Sequence, residues 1–179
     1  LSEAWARDIP SCKSYFLELP NDASAISKEY FALQLRKLIE ELEQQYGRHI
    51  SADALREAIE ICNESRTLLQ RLYRYKRGRQ VLSGQESIQI VKAAATGLKK
   101  DFNANMSVLL DALATAEQPS TRQRHRVMIC GSYFDHKGII DTIEEAGADL
   151  VCEDISNGVK YFEGKIDLDA EPVAAIAEY

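Results

Sequence analysis

The sequence predicts an α/β protein, helix-rich overall, in which a helical segment is followed by a small parallel, Rossmann-like βαβ sheet. Three observations predict it. Residues 127–130 (VMIC) are a short, wholly apolar run that reads as a buried strand, and residues 150–152 (LVC) are a second apolar run of strand length. Between them Ile139, Ile140, Ile143 and Ala146 place apolar side chains on one helix face, with Gly147 where a helix would stop. Strand, helix and strand at this spacing imply parallel strands joined by a right-handed crossover. Upstream, residues 24–116 carry apolar stripes at helical spacing rather than strand alternation.

Taken in order, residues 1–9 read as a short helix or turn anchored by Trp5 and ended by Pro10. Residues 14–20 (SYFLELP) read as a strand, because aromatic and apolar side chains concentrate there and Pro20 forbids continuation. Such a strand needs a partner elsewhere. A first long helix is expected over 24–46, with Phe31, Leu35, Leu38 and Leu42 on its stripe and Gly47 as its stop. A second opens with Ser51 as N-cap and Asp53 in its positive first turn. It runs through Leu55, Ile59, Cys62, Leu69 and Leu72 to Gly78. A third is expected over 85–116, with Ser83 as N-cap, Glu86 completing a capping box, and Gly97 as a weak point. These helices hold no cluster of His, Cys or paired carboxylates, so they read as scaffold. Residues 118–125 are polar, contain Pro119 and lack periodicity, which marks a linker. After the βαβ unit, residues 169–172 would start a helix that reaches the end of the chain at Tyr179. That unfinished helix suggests truncation, and a start at Leu1 without an initiator Met reads as either processing or a piece cut from something longer.

At 179 residues the chain can form one good core, or one domain with a helical extension. Its net charge of −6 argues against a nucleic-acid partner. The basic run 71–79 (RLYRYKRGR) is an exception that could touch RNA, but the last turn of a helix, where cations meet the negative end of the dipole, is the favoured reading. No apolar run has the length of a membrane span, so no membrane partner is expected. Cys12, Cys62, Cys130 and Cys152 lack CxxC spacing, which signals neither a zinc site nor a disulfide framework; a cytoplasmic location is the expectation.

Ligands in βαβ units gather at the carboxyl ends of the strands, which here carry Gly131, Ser132, Asp154 and Ser156. Gly131-Ser132 lies between strand and helix, where backbone N–H groups and the helix dipole can meet an anion; an ordinary tight turn is the alternative. His136 could act as a general base, but no carboxylate or nucleophile is visible beside it, and Asp135 suffices as an N-cap. Cys130 and Cys152 could approach each other across the sheet, yet two thiolates alone leave a metal half-coordinated, and buried small side chains are the simpler reading. Asp154, Ser156, Asn157, Gly158 and Lys160 form the loop after the second strand. Asp or Ser there can hydrogen-bond a ligand hydroxyl and Lys160 can neutralise a phosphate or carboxylate, whereas the alternative is a solvated Asn-Gly turn.

Segments 126–132 (RVMICGS), 141–147 (DTIEEAG) and 154–162 (DISNGVKYF), with 15–20 (YFLELP), 50–56 (ISADALR) and 61–66 (ICNESR), give the chain a resemblance to the 2-hydroxyacyl-CoA dehydratase and benzoyl-CoA reductase family, in the manner of a 2-hydroxyglutaryl-CoA dehydratase D-component. The resemblance covers nearly the whole chain. It implies two related α/β domains joined by helices, and a [4Fe–4S] cluster held by cysteines. It also implies one-electron chemistry on an acyl-CoA, with a partner dehydratase subunit and an ATP-dependent iron–sulfur activator supplying the electron. In the dehydratases a ketyl radical expels the 2-hydroxyl group to give an enoyl-CoA. Residues 1–20 would then end a first α/β domain, 21–117 would bridge, 118–125 would link, and 126–179 would begin a second, truncated domain. The cluster cysteines would lie upstream of Leu1 and downstream of Tyr179, so this piece alone is expected to hold no metal and to be inactive. Ser156 stands where many relatives have Cys, and Lys160 where they often have Arg. Neither Cys12 nor Cys62 matches a ligand position. Gly131, Ser132, Asp154, Ser156 and Lys160 would line the substrate side of the site. Two other readings stand beside the dehydratase: a ring-reductase subunit of the same family, or a non-catalytic helical interaction module.

Overall fold

The computed structural model describes residues 7–8, 13–78, 82–116, 124–134 and 136–179. The expectations for Trp5, Cys12, Asp135 and most of the linker lie outside these residues. The elements are α1 (Ala25–Tyr46), α2 (Ala52–Gly78), α3 (Gly84–Thr96), α4 (Lys99–Thr115), β1 (His125–Cys130), α5 (Lys137–Glu145), β2 (Ala148–Asp154), a 3₁₀ turn (Val159–Tyr161) and α6 (Pro172–Glu178). They form two compact units, residues 1–59 with 166–179, and residues 60–165.

In the first unit, Ser24 caps α1 by accepting the Ser27 N–H at 3.2 Å. Gly47 closes it in the left-handed region at φ 63°, which a residue without Cβ adopts freely. Ser51 starts α2 by accepting the Ala54 N–H at 3.1 Å. Helix α6 is only seven residues long and would not persist alone. It is held on α1 by the pairs Arg36–Glu171 (3.1 Å) and Lys28–Glu178, and Ala175 packs with Ile59 of α2 and with Ile166. Residues 13–20 do not form the expected strand: they belong to no ladder, and Phe16 and Leu19 are exposed. Aromatic content alone cannot make a strand without a partner for its backbone.

In the second unit, the later part of α2 packs with α3 and α4 around Leu69, Leu72, Val91, Met106 and Leu110. The single helix expected over 85–116 is two helices. The break falls at Gly97, whose backbone is extended (ψ 165°) and whose N–H still reaches the Ala93 carbonyl. Before α3, the Ser83 hydroxyl accepts the Glu86 N–H at 3.1 Å while the Glu86 carboxylate accepts the Ser83 N–H at 2.8 Å, the reciprocal box expected from the sequence. Ser83→Ala should lower stability by about 1 kcal/mol, read from the urea midpoint; an unchanged midpoint would show that Glu86 caps α3 alone.

The sheet is the expected βαβ unit. Strands β1 and β2 are parallel, paired from His125↔Ala148 to Cys130↔Asp154, with one irregularity between Val127 and Met128. Gly147 turns the chain into β2 at φ 89°. Helices α3 and α5 cover the sheet through Ile88, Ile140, Leu150 and Ile155, with Ile129 and Phe134 against them. One expectation fails here. β1 is apolar throughout 127–130 but is not buried: Met128 is 57% exposed and Cys130 is also exposed. Its inward residues Val127 and Ile129 alternate with outward ones, so only one face is covered. Ile139 of α5 likewise points outward.

Candidate functional site

Because Cys130 pairs with Asp154, both strands end at the same edge. The chain beyond each strand is laced to the other. The Gly131 N–H donates to the Asp154 carbonyl at 3.1 Å, and the Ser156 N–H donates to the Ser132 carbonyl at 2.6 Å. Asn157 adds a side-chain clasp, its Oδ1 accepting the Phe134 N–H at 3.1 Å and its Nδ2 donating to the Phe134 carbonyl at 2.6 Å. The 3₁₀ turn then swings Lys160 back, so that Nζ donates to the Gly131 carbonyl at 3.1 Å and lies 3.9 Å from Asp154 Oδ1.

Gly131, Ser132, Asp154, Ser156 and Lys160, chosen from the sequence, therefore sit together on one rim. Ser132 and Ser156 are exposed, and Asp154 and Lys160 are half-exposed. Beside the rim opens a cavity of about 660 Å³, walled by Gln89, Lys92 and Thr96 of α3 and by Tyr133, Ser156 and Tyr161. Chemically the rim offers two hydroxyls, one carboxylate and one ammonium. Lys160 uses one donor on the Gly131 carbonyl and keeps others for an anion.

The anion-binding turn suggested for Gly131-Ser132 is not formed as expected. The Gly131 N–H is committed to Asp154, and α5 begins only at Lys137, with His136 as an N-cap that makes no side-chain capping bond. His136 is exposed, as a solvated helix start would be. Cys130 and Cys152 do not face each other directly, since Cys152 lies opposite Met128 and Cys130 opposite Asp154. Cys62 is half-buried on α2. Among the described residues no group of three His, Cys, Asp or Glu could hold a metal ion.

Sequence reasoning missed a buried polar cluster of this unit. Lys76, placed by the sequence in a basic run at a helix end, is 3% exposed and pairs with Glu153, which is fully buried. Its Nζ also donates to Ser87 Oγ at 2.6 Å, and Ser87 Oγ lies 3.0 Å from the same Glu153 oxygen. The Nζ sits 5.2 Å above the Tyr73 ring. Burial pulls the Lys76 ammonium below its usual pKa, against the opposing pull of Glu153. Burial and the neighbouring Glu153 push the Tyr73 phenol up. A signal was present: Lys76 lies four and seven residues after Leu72 and Leu69, on the buried stripe of α2.

A family model for the 2-hydroxyglutaryl-CoA dehydratase D-component matches residues 1–179. A benzoyl-CoA reductase subunit of Thauera aromatica is 26% identical over 178 residues, covering 97% of this chain and 46% of that protein. The putative dehydratase subunit YjiM of Escherichia coli K12 is 25% identical, over 92% of this chain and 45% of its own length. The (R)-phenyllactyl-CoA dehydratase beta subunit of Clostridium sporogenes is 24% identical, over 84% and 40%. The chain thus spans about half the length of the curated relatives it matches. Over its whole length, residues 1–179, the chain belongs to the 2-hydroxyglutaryl-CoA dehydratase D-component family.

Proposed function

We propose that the full-length protein removes water from a 2-hydroxyacyl-CoA to give an enoyl-CoA, and that this chain supplies the rim of the thioester site. The elements of water leave as the 2-hydroxyl group and a hydrogen from C3, so the overall reaction is redox-neutral. The observation that carries the proposal is the convergence of Gly131, Ser132, Asp154, Ser156 and Lys160 at one strand edge beside an open cavity. Hydroxyl and carboxylate groups at that rim suit the 2-hydroxyl and thioester oxygens, while Lys160 suits an anionic part of the substrate.

The partners proposed with this activity are an acyl-CoA, a second dehydratase subunit and an ATP-dependent iron–sulfur activator. The location proposed is the cytoplasm. Among the described residues no helix is long and apolar enough to cross a membrane. The cofactor proposed for the full-length protein is a [4Fe–4S] cluster, which would carry the one-electron chemistry. The described thiols do not fit one: Cys62, Cys130 and Cys152 stand on three different elements without further ligands grouped around them. Its ligands are therefore assigned to other parts of the polypeptide, and what this chain contributes is binding and orientation. A ring-reductase subunit is the second reading, favoured by the 26% identity to the benzoyl-CoA reductase of Thauera aromatica.

Binding of a 2-hydroxyacyl-CoA to the full-length protein tests the proposal. Ser132→Ala and Lys160→Ala should each weaken affinity about tenfold, the loss of about one charge-assisted or buried hydrogen bond. Unchanged affinity and turnover in both variants would remove these residues from the site.

A further inference from the structure

Strand β2 presents Glu153 and Asp154 to opposite sides. Asp154 belongs to the rim, where its carbonyl accepts the Gly131 N–H and its carboxylate lies near Lys160. Glu153 points the other way, into the helices, and is wholly buried. There it meets Lys76 from the end of α2 and Ser87 from the first turns of α3. Ser87 Oγ is also 2.8 Å from the Gly84 carbonyl, at the start of α3.

A buried ion pair is a poor means of adding stability. Removing two charges from water costs several kcal/mol each, and well-packed apolar side chains of similar volume commonly serve as well or better. Glu153 Oε2 and the Tyr73 hydroxyl, both buried, have no hydrogen-bond partner among the described residues. The cluster thus carries a polar cost that an apolar core would not. Its position offers a reason. It grips β2 one residue before the rim, and it does so from the end of α2 and the first turns of α3. Directional hydrogen bonds fix the position of a carboxylate far better than dispersion fixes a methylene group.

We infer that Lys76, Ser87 and Glu153 are positioning residues, which hold the carboxyl end of β2 in the register that sets Asp154, Lys160 and Gly131 for ligand binding. The consequence for the thioester rests on the proposed function, whereas the consequence for the rim stands without it. Slippage or rotation of β2 at Glu153 would pull the Asp154 carbonyl from the Gly131 N–H and slacken the Ser156–Ser132 bond.

The test replaces the whole cluster by side chains of similar volume, Lys76→Met with Glu153→Met and Ser87→Ala, in the full-length protein. Amide hydrogen exchange is followed with and without a 2-hydroxyacyl-CoA. Exchange at Gly131 and Ser156 should rise at least tenfold, while exchange at the core amides of Leu69 and Leu110 stays as in the parent. A purely structural role would move both sets together or neither. Unchanged exchange at Gly131 and Ser156 in this folded variant would overturn the inference, and so would an equal rise at the core amides. Should the triple variant fail to fold, Glu153→Gln gives the same comparison. It keeps the size of the side chain while weakening its bond to Lys76. Thioester affinity, expected to fall about tenfold in the triple variant, is read separately. A parent that binds no thioester, with the exchange result as expected, would sink the proposed function and leave the positioning role intact.

Discussion

Lys76→Met alone should destabilise the unit formed by residues 60–165 by about 3–5 kcal/mol, the usual cost of stranding one partner of a buried ion pair. Glu153 is fully buried, and one of its oxygens already lacks a hydrogen-bond partner among the described residues. Without the ammonium, the other oxygen keeps only Ser87 Oγ at 3.0 Å. A carboxylate in that position must either stay ionised against a poor dielectric or take up a proton. Urea unfolding of the variant measures the loss. The sharper comparison is with the apolar triple variant, which changes more atoms yet should be far more stable because it leaves no charge behind. Near-equal stability of Lys76→Met and the parent would mean that Glu153 finds water that the packing around it does not suggest.

Gly158→Ala should be the second most damaging change, at about 1–3 kcal/mol or more, the range for forcing atoms into a filled space. The backbone φ of Gly158 is −129°, which any residue adopts, so the constraint is space. A Cβ there would lie 2.2 Å from the Glu153 carbonyl oxygen and 2.8 Å from Ile155 Cγ1. The carbonyl belongs to β2 and cannot rotate aside without breaking the end of the strand. The loop must open instead, carrying Lys160 away from Gly131 and loosening the Gly158 N–H from the Ile155 carbonyl at 3.0 Å. The variant is expected to lose thermal stability and the protection of the Ser156 amide together. Parent-like stability would show that the 155–160 loop has an alternative path.

What could be read from the sequence was mostly local. The capping box at Ser83 and Glu86, the left-handed stops at Gly47 and Gly147, and the strand–helix–strand spacing all depend on residues within a few positions of one another. The rim was legible for the same reason, because parallel strands joined by one helix must end at the same edge. Long-range partners were not. Lys76 and Glu153 stand 77 positions apart, and nothing near Lys76 announces a carboxylate opposite it. Residues 14–20 carry strand-like composition, but composition does not supply a ladder partner. The wholly apolar run of β1 reads as a buried strand, whereas helices cover one face only and Met128 stays in solvent. The break at Gly97 was flagged by its glycine but not resolved, since glycine inside a helix is a modest cost that packing can override.

The most direct measurement is a map of amide hydrogen exchange in the full-length protein as a 2-hydroxyacyl-CoA is added. Slowed exchange concentrated at residues 131–132 and 154–160 is the result expected if the strand edge receives the thioester. Saturable binding that leaves those amides unchanged, with protection appearing elsewhere, would contradict it.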